Sequence, residues 1–306
     1  MSRILVIRGG AIGDFILTLP AIKLLRDSFP TAHLEILGYQ HIVALARMSG
    51  YADATRSIEY GALSSFFSRG GELAPDLIAY FGSFQQVVSY LFDPDEIFAA
   101  NLKRAGVRNF LSGSSKMNDQ EHAARQLARP LERLALYLED PAAIILPNEK
   151  RQSDPALIAI HPGSGSAAKN WPLERFAEVA GALLSEDENR RLLIAGGEAD
   201  EHTIAKLAAA LPAKRVNVAR NRPLPELACT LQNCALFIGH DSGISHLAAA
   251  VGAPSLLLFG PTDPAIWAPA NPQVRVLRSP NLAMSGIEVP RVLESAYELM
   301  RIGIKT

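Results

Sequence analysis

Cysteine is nearly absent: the 306 residues hold two, Cys229 and Cys234. Two thiols cannot build a disulfide framework or a metal-spaced cluster, and such sparing use fits a reducing compartment. Both read as half-buried helix residues. Long hydrophobic runs are also missing. No stretch reaches the roughly 18 uncharged apolar residues of a spanning helix. The apolar start, MSRILVIRGGAIGDFILTLP, is interrupted by Arg8 and Asp14 and offers no small-residue cleavage site, which argues against a signal peptide. A cytoplasmic protein is expected, with peripheral contact at a membrane surface left open. A surplus of one charge is absent too: 30 basic and 31 acidic residues give a net charge of -1. That balance argues against the broad basic footprint of a nucleic-acid binder. It leaves room for a local basic patch that holds phosphates.

What is present is apolar: 48% of residues, with only 20% charged. That composition can fill two cores, and the length suits two α/β domains of ~150 residues each. Short apolar runs alternate with helical spacing, twice over. Arg3–Arg8 reads as a buried strand, followed by a Gly-rich turn and a helix from Ile12 to Phe29. Pro20 is expected to kink that helix or to end a short first segment. His33–Gly38 and Asp76–Tyr80 read as further strands. Glu121–Tyr137 reads as one helix. The Pro-rich, charged stretch Asp140–Asp154 reads as a linker. Beyond it, Leu157–His161, Arg191–Ala195, Leu236–Ile238 and Ser255–Phe259 read as strands, with helices between them. The expected class is α/β, with parallel sheets covered on both faces. The expected division is 1–150, 151–288, and a terminal helical segment, 289–306, that crosses back onto the first domain. No internal repeat is visible.

Three strand-ending turns carry chemistry. The first is Gly9-Gly10-Ala11-Ile12-Gly13-Asp14. In an open α/β sheet such a turn lies at the carboxyl ends of the strands, where ligands bind. It is not a dinucleotide fingerprint, because Arg8 stands where the first glycine belongs and Tyr39-Gln40 replaces the acidic residue after the second strand. Asp14, on the first helical turn, is either a cap for its own helix or a general base. The second turn is His161-Pro162-Gly163-Ser164-Gly165-Ser166, then Lys169-Asn170-Trp171-Pro172. Its N–H and hydroxyl groups suit phosphate oxygens, and Lys169 supplies a point charge. The bland alternative is a flexible surface loop.

The third turn, Gly239-His240-Asp241-Ser242-Gly243-Ile244-Ser245-His246, runs from a strand into a small-residue helix. Ser242 and Gly243 offer N–H groups to an anion. His246 follows Ser242 by one helical turn. A Ser-His hydrolase is disfavoured, since no Gly-x-Ser-x-Gly elbow is present. A further turn, Phe259-Gly260-Pro261-Thr262-Asp263-Pro264, lies on the same sheet edge. Asp93-Pro94-Asp95 has the spacing of a metal-binding Asp-x-Asp pair, but Pro94 and the following DEIFAANL favour a helix start. No metal site is expected.

Together, ILVIRGGAIGDFILTLPAI, HPGSGSAAKNWP and GHDSGISHLAAAVGAPSLLLFGPTDP resemble glycosyltransferase family nine, the ADP-heptose:lipopolysaccharide heptosyltransferases. The resemblance covers both halves in the right order. It implies a GT-B fold: two Rossmann-like domains facing across a cleft, the donor held mostly by the second. It implies an inverting transfer of a heptose or related sugar from an ADP-linked donor to a lipopolysaccharide-core or other lipid-linked saccharide. No cofactor is implied beyond that co-substrate, and the acceptor would bring the enzyme to the inner membrane's cytoplasmic face. By motif position Asp14 resembles the base, and Gly13 just before it is counted with the donor-binding residues. Lys169, with Ser164, Gly165 and Ser166, resembles the diphosphate site. Asp241, Ser242, Gly243 and His246 resemble the donor-binding turn, and Glu201 the acid that holds the ribose. Ser242 stands where heptosyltransferases often have Thr. The segment Tyr80–Phe98 matches no acceptor motif. Lys103, Arg104 and Arg108 are either phosphate contacts or a solvated helix face. A non-catalytic nucleotide-sugar-binding protein and a sugar-nucleotide epimerase are the alternatives.

Overall fold

Two parallel β-sheets organise the chain, one in each of two units, Met1–Pro141 and Ala142–Thr306. The computed structural model describes residues 2–114, 116–147 and 150–303. The first unit runs β1 (Arg3–Arg8), α1 (Ile12–Ser28), β2 (His33–Gly38), α2 (Gln40–Met48), β3 (Ala54–Ser57), α3 (Pro75–Gly82), β4 (Gln86–Ser89), α4 (Ile97–Arg104), β5 (Phe110–Ser112) and α5 (Ala123–Ala128). Its sheet has the order β3-β2-β1-β4-β5. The central strand reads RILVIR because it is covered on both faces, so an unbroken apolar run replaces alternation. Under one face Phe66, Phe81 and Phe98 pack ring to ring with Leu5, Ile7 and Leu77.

The second unit runs β6 (Asp154–Ile160), α6 (Leu173–Ser185), β7 (Arg191–Gly196), α7 (Glu201–Ala209), β8 (Val216–Arg220), α8 (Leu224–Leu231), β9 (Cys234–His240), α9 (Gly243–Ala250), β10 (Ser255–Phe259), α10 (Pro264–Trp267), β11 (Val274–Arg278) and α11 (Val289–Gly303). Its strand order is β11-β10-β9-β6-β7-β8. In each sheet the winding reverses at one place, between β1 and β4 and between β6 and β9. The crevice outside the carboxyl ends of the strands at such a reversal is where doubly wound sheets bind ligands.

Several expectations are corrected. Asp76–Tyr80 is not a strand but part of α3. Pro75 opens that helix, and Leu77 and Phe81, four apart, are its buried residues. Glu121–Tyr137 is not one helix: α5 stops at Ala128, because Pro130 has no N–H to continue it. A 3₁₀ turn then carries the chain to Ala135, whose positive φ of 58° ends it. Pro20 neither ends nor shortens α1, which runs through it to Ser28. Cys234 starts β9 rather than lying on a helix. The terminal helix α11 packs on the core of the second unit. It buries Val292, Ala296, Leu299 and Met300 in the second core, worth about 1.5–3 kcal/mol for each of the larger side chains. Residues 304–306 of the expected terminal segment lie outside the described residues. So do residues 148 and 149 of the expected linker. The start of that linker is bound: Ile145 N–H donates to Ala250 O (2.9 Å), and Asn271 Nδ2 donates to Ala143 O (2.8 Å). Among the described residues, no helix is long and apolar enough to cross a membrane.

Candidate active site

At the first reversal, β1 and β4 lie side by side, with Ile7 opposite Ser89. The turn after β1 brings Asp14 back over its own strand end. Asp14 Oδ2 accepts the Ala11 N–H at 3.0 Å, and Oδ1 lies 3.6 Å from Arg8 Nη2. Gly10 makes this possible: its φ is +94°, and a Cβ there would sit 2.9 Å from Asp14 Oδ2. The carboxylate is therefore a cap for α1, yet its side chain stays 42% exposed. Cap and available base are compatible in one residue. Gly13 beside it is the second, half-buried residue of α1.

Arg8 is buried behind Asp14. Its Nη1 donates to Tyr90 O (3.4 Å) and its Nη2 to Asp14 O (3.3 Å), and its Nε has no partner. Burial pushes the guanidinium pKa down, and the Asp14 carboxylate opposes that shift. In the sequence Arg8 stands out as a break in the apolar start and as a departure from a glycine motif, not as a partner of Asp14. An arginine closing an apolar strand just before Gly-Gly was the signal available.

At the second reversal the contacts are denser. Ile160 pairs with Ile238, and the His161 N–H donates to Ile238 O at 3.0 Å, so the ends of β6 and β9 adjoin. Lys169 reaches across and donates from Nζ to Asp241 Oδ2 at 3.1 Å. Asp241 and Ser242 are buried, and His246 Nε2 lies 3.9 Å from Asp241 Oδ1. Ser242 is the N-cap of α9: its Oγ accepts the Ser245 N–H (3.3 Å) and is 3.0 Å from Ser245 Oγ. Gly243 opens the helix, whose first N–H groups have no partner within it. The Ser164 hydroxyl is turned into its own loop, toward Asn170 Oδ1 (2.6 Å) and Ser166 O (2.8 Å), while Gly165 and Ser166 are exposed.

Two histidines that sequence reasoning left unassigned stand under this turn. His161 Nδ1–H donates to Ala195 O at 2.8 Å, and burial holds its pKa below the ordinary value. His240 is fully buried and held down to about 3, chiefly by burial and then by its neighbour His161. Asp200 stands beside the same turn. Its carboxylate accepts the Gly197 N–H (3.1 Å) and fills the space where a Cβ on Gly163 would fall, 1.8 Å from Oδ1. Glu201, the residue expected at the ribose, is an exposed partner of Arg220 at 3.5 Å. Asp93 of the Asp-Pro-Asp stretch caps α4, accepting the Phe98 (3.1 Å) and Ala99 (2.9 Å) N–H groups. Arg104 is engaged with Asn101 Oδ1 (2.8 Å) and Gly71 O (3.1 Å).

Set beside known proteins, residues 100–295 match the family model for glycosyltransferase family 9 (heptosyltransferase). The chain belongs to glycosyltransferase family 9. Lipooligosaccharide heptosyltransferase 2 of Haemophilus influenzae is 31% identical over 127 residues, 40% of this chain and 36% of that protein. The matched part spans 36–46% of the length of the first curated heptosyltransferase relatives. The crystal structure of a family 9 glycosyltransferase from Veillonella parvula superimposes with a TM-score of 0.81 at 22% identity, over 98% of both chains. The Escherichia coli heptosyltransferase WaaC, solved with ADP, gives 0.73 at 17% identity, over 97% of this chain and 99% of that one. These likenesses establish the fold as the GT-B type. Family 9 membership makes the chain a heptosyltransferase-family glycosyltransferase.

Proposed function

We propose that this family 9 transferase moves a heptose or related sugar from an ADP-linked donor to a lipopolysaccharide-core or other saccharide acceptor, with inversion. The observation that carries the donor side is the Lys169–Asp241 pair at the reversal of the second sheet, beside the N-terminus of α9. An ammonium and the first-turn N–H groups of a helix together suit a diphosphate. Asp241 keeps the ammonium in place before the donor arrives. Ser164, Gly165 and Ser166 supply further N–H and hydroxyl groups, and Ser242, Gly243 and His246 complete the turn. Glu201 is assigned the nucleotide ribose. The ADP-heptose is a co-substrate.

The observation that carries the acceptor side is the exposed Asp14 carboxylate, held by Ala11 and Arg8 and preceded by Gly13. In this proposal the acceptor hydroxyl attacks the anomeric carbon opposite the diphosphate as Asp14 takes its proton. The new C–O bond forms as the bond to the leaving diphosphate breaks, and Lys169 with the α9 N-terminus stabilises the departing charge. A lipid-linked acceptor would bring the enzyme to the cytoplasmic face of a membrane.

A thermal-shift screen with ADP, UDP, GDP and ADP-heptose tests the donor assignment, since a ligand that binds only the folded state raises Tm by mass action. ADP and ADP-heptose are expected to raise it. A response to UDP or GDP alone would change the base, and no response to any nucleotide would remove the donor pocket.

A further inference from the structure

We propose that His240 is a positioning residue for Lys169, pinning the backbone of the Lys169 loop to the end of β9. This rests on the assignment of Lys169 to the donor diphosphate. His240 Nε2 accepts the Trp171 N–H at 2.8 Å, two residues beyond Lys169. An accepting Nε2 leaves the proton on Nδ1, which faces Gly163 O at 3.4 Å. One imidazole thus ties the start and the end of the loop 163–171 to the strand. The next residue, Asp241, holds the Lys169 side chain. Consecutive residues of one strand end therefore fix the loop's backbone and its ammonium separately.

The anchorage extends further. The His240 ring packs edge-on against Phe176 of α6, with centroids 5.1 Å apart. The Trp171 indole N–H donates to Ile287 O at 3.0 Å, and Arg175 Nη1 donates to the same carbonyl at 2.6 Å. Burial keeps the imidazole neutral, which is the state that can accept from Trp171. Protonation would give Nε2 a hydrogen and turn the pin into a repulsion.

The pin makes a paired prediction. Gln carries an oxygen near the position of Nε2 and can still accept the Trp171 N–H. Asn is too short to reach it. His240→Asn should speed hydrogen exchange across residues 165–172 by ~10-fold or more, and His240→Gln should stay near wild type. Hydrogen exchange of the whole chain, read peptide by peptide, measures this without any ligand. ADP titration by calorimetry supplies the second arm. His240→Asn should weaken ADP by ~3–10-fold, while His240→Gln stays within ~2-fold. Turnover at saturating donor should change less than donor KM. Circular dichroism and Tm confirm that each variant folds, and the Gln variant carries the comparison if Asn does not.

Unchanged exchange over 165–172 in His240→Asn would overturn the pin. Faster exchange with unchanged ADP affinity, while Lys169→Ala loses affinity, would overturn the link to the donor. Equal ADP affinity in wild type and Lys169→Ala, or no ADP binding by wild type, would instead sink the donor-site assignment, and the positioning role with it.

Discussion

The two sheet reversals are built in opposite ways. At the first, a single carboxylate is steadied by one N–H and one distant guanidinium and is left 42% open to water. At the second, Asp241, Ser242, Ser245, His240 and His246 are all buried, with Ser242 held to Ser245, Asp241 beside His246, and His240 bound to Trp171. A group that must take a proton from a substrate needs access to it. Groups that must hold a diphosphate need preorganisation, which burial and hydrogen bonds supply at some cost in desolvation. The contrast is the main support for dividing chemistry and donor binding between the units.

The sharpest way to break that contrast is Asp14→Asn. It keeps the size of the side chain while removing the base, and turnover should fall by about 10²–10⁴. Near-normal rates in a transfer assay would remove Asp14 from the chemistry.

Acid should sharpen the contrast by finding the second unit. His240 has its pKa held down to about 3 in the fold, against roughly 6.5 in the unfolded chain. The unfolded state therefore binds the extra proton between those values. Stability is fully present above pH 6.5 and falls as pH drops toward 3, by about 2 kcal/mol between pH 7 and 5 from this group alone. His161, shifted the same way, adds to the slope. Urea unfolding at both pH values measures this, and His240→Gln should flatten it. An unchanged slope in that variant would place the acid sensitivity elsewhere.

The smallest effect concerns the α9 cap. Ser242→Ala should cost ~1 kcal/mol of stability, and Ser242→Thr should restore most of it. A loss confined to ADP affinity would mean that Ser242 serves the ligand rather than the helix.

Strands β1, β2, β6, β7, β9 and β10 and the turn motifs were legible in the sequence because their signals are local. ILVI in β1 and LIAI in β6 are apolar runs ended by turns that the chain itself spells out. The others were not: QVVS and the edge strand FLS are only four and three residues long, and the edge strands ATRS, VNVAR and VRVLR are half-buried and carry no apolar run. DLIAY was misread because a short apolar run does not distinguish strand from helix; Pro75 at its start was the deciding residue. Asp14 and Lys169 were singled out by their positions in motifs. Asp14's partners lie in its own motif, but those of the Lys169 loop required the fold. Trp171 and His240 are 69 residues apart in the chain, and Lys169 and Asp241 are 72 apart. Only the adjacency of β6 and β9 brings them together.

The division of labour is tested most directly by calorimetric ADP titration of Asp14→Asn and Lys169→Ala side by side. The account predicts wild-type affinity in the first and at least a ~10-fold loss in the second, the loss expected when a charged partner of a bound diphosphate is removed. Loss of affinity in Asp14→Asn with none in Lys169→Ala would contradict it.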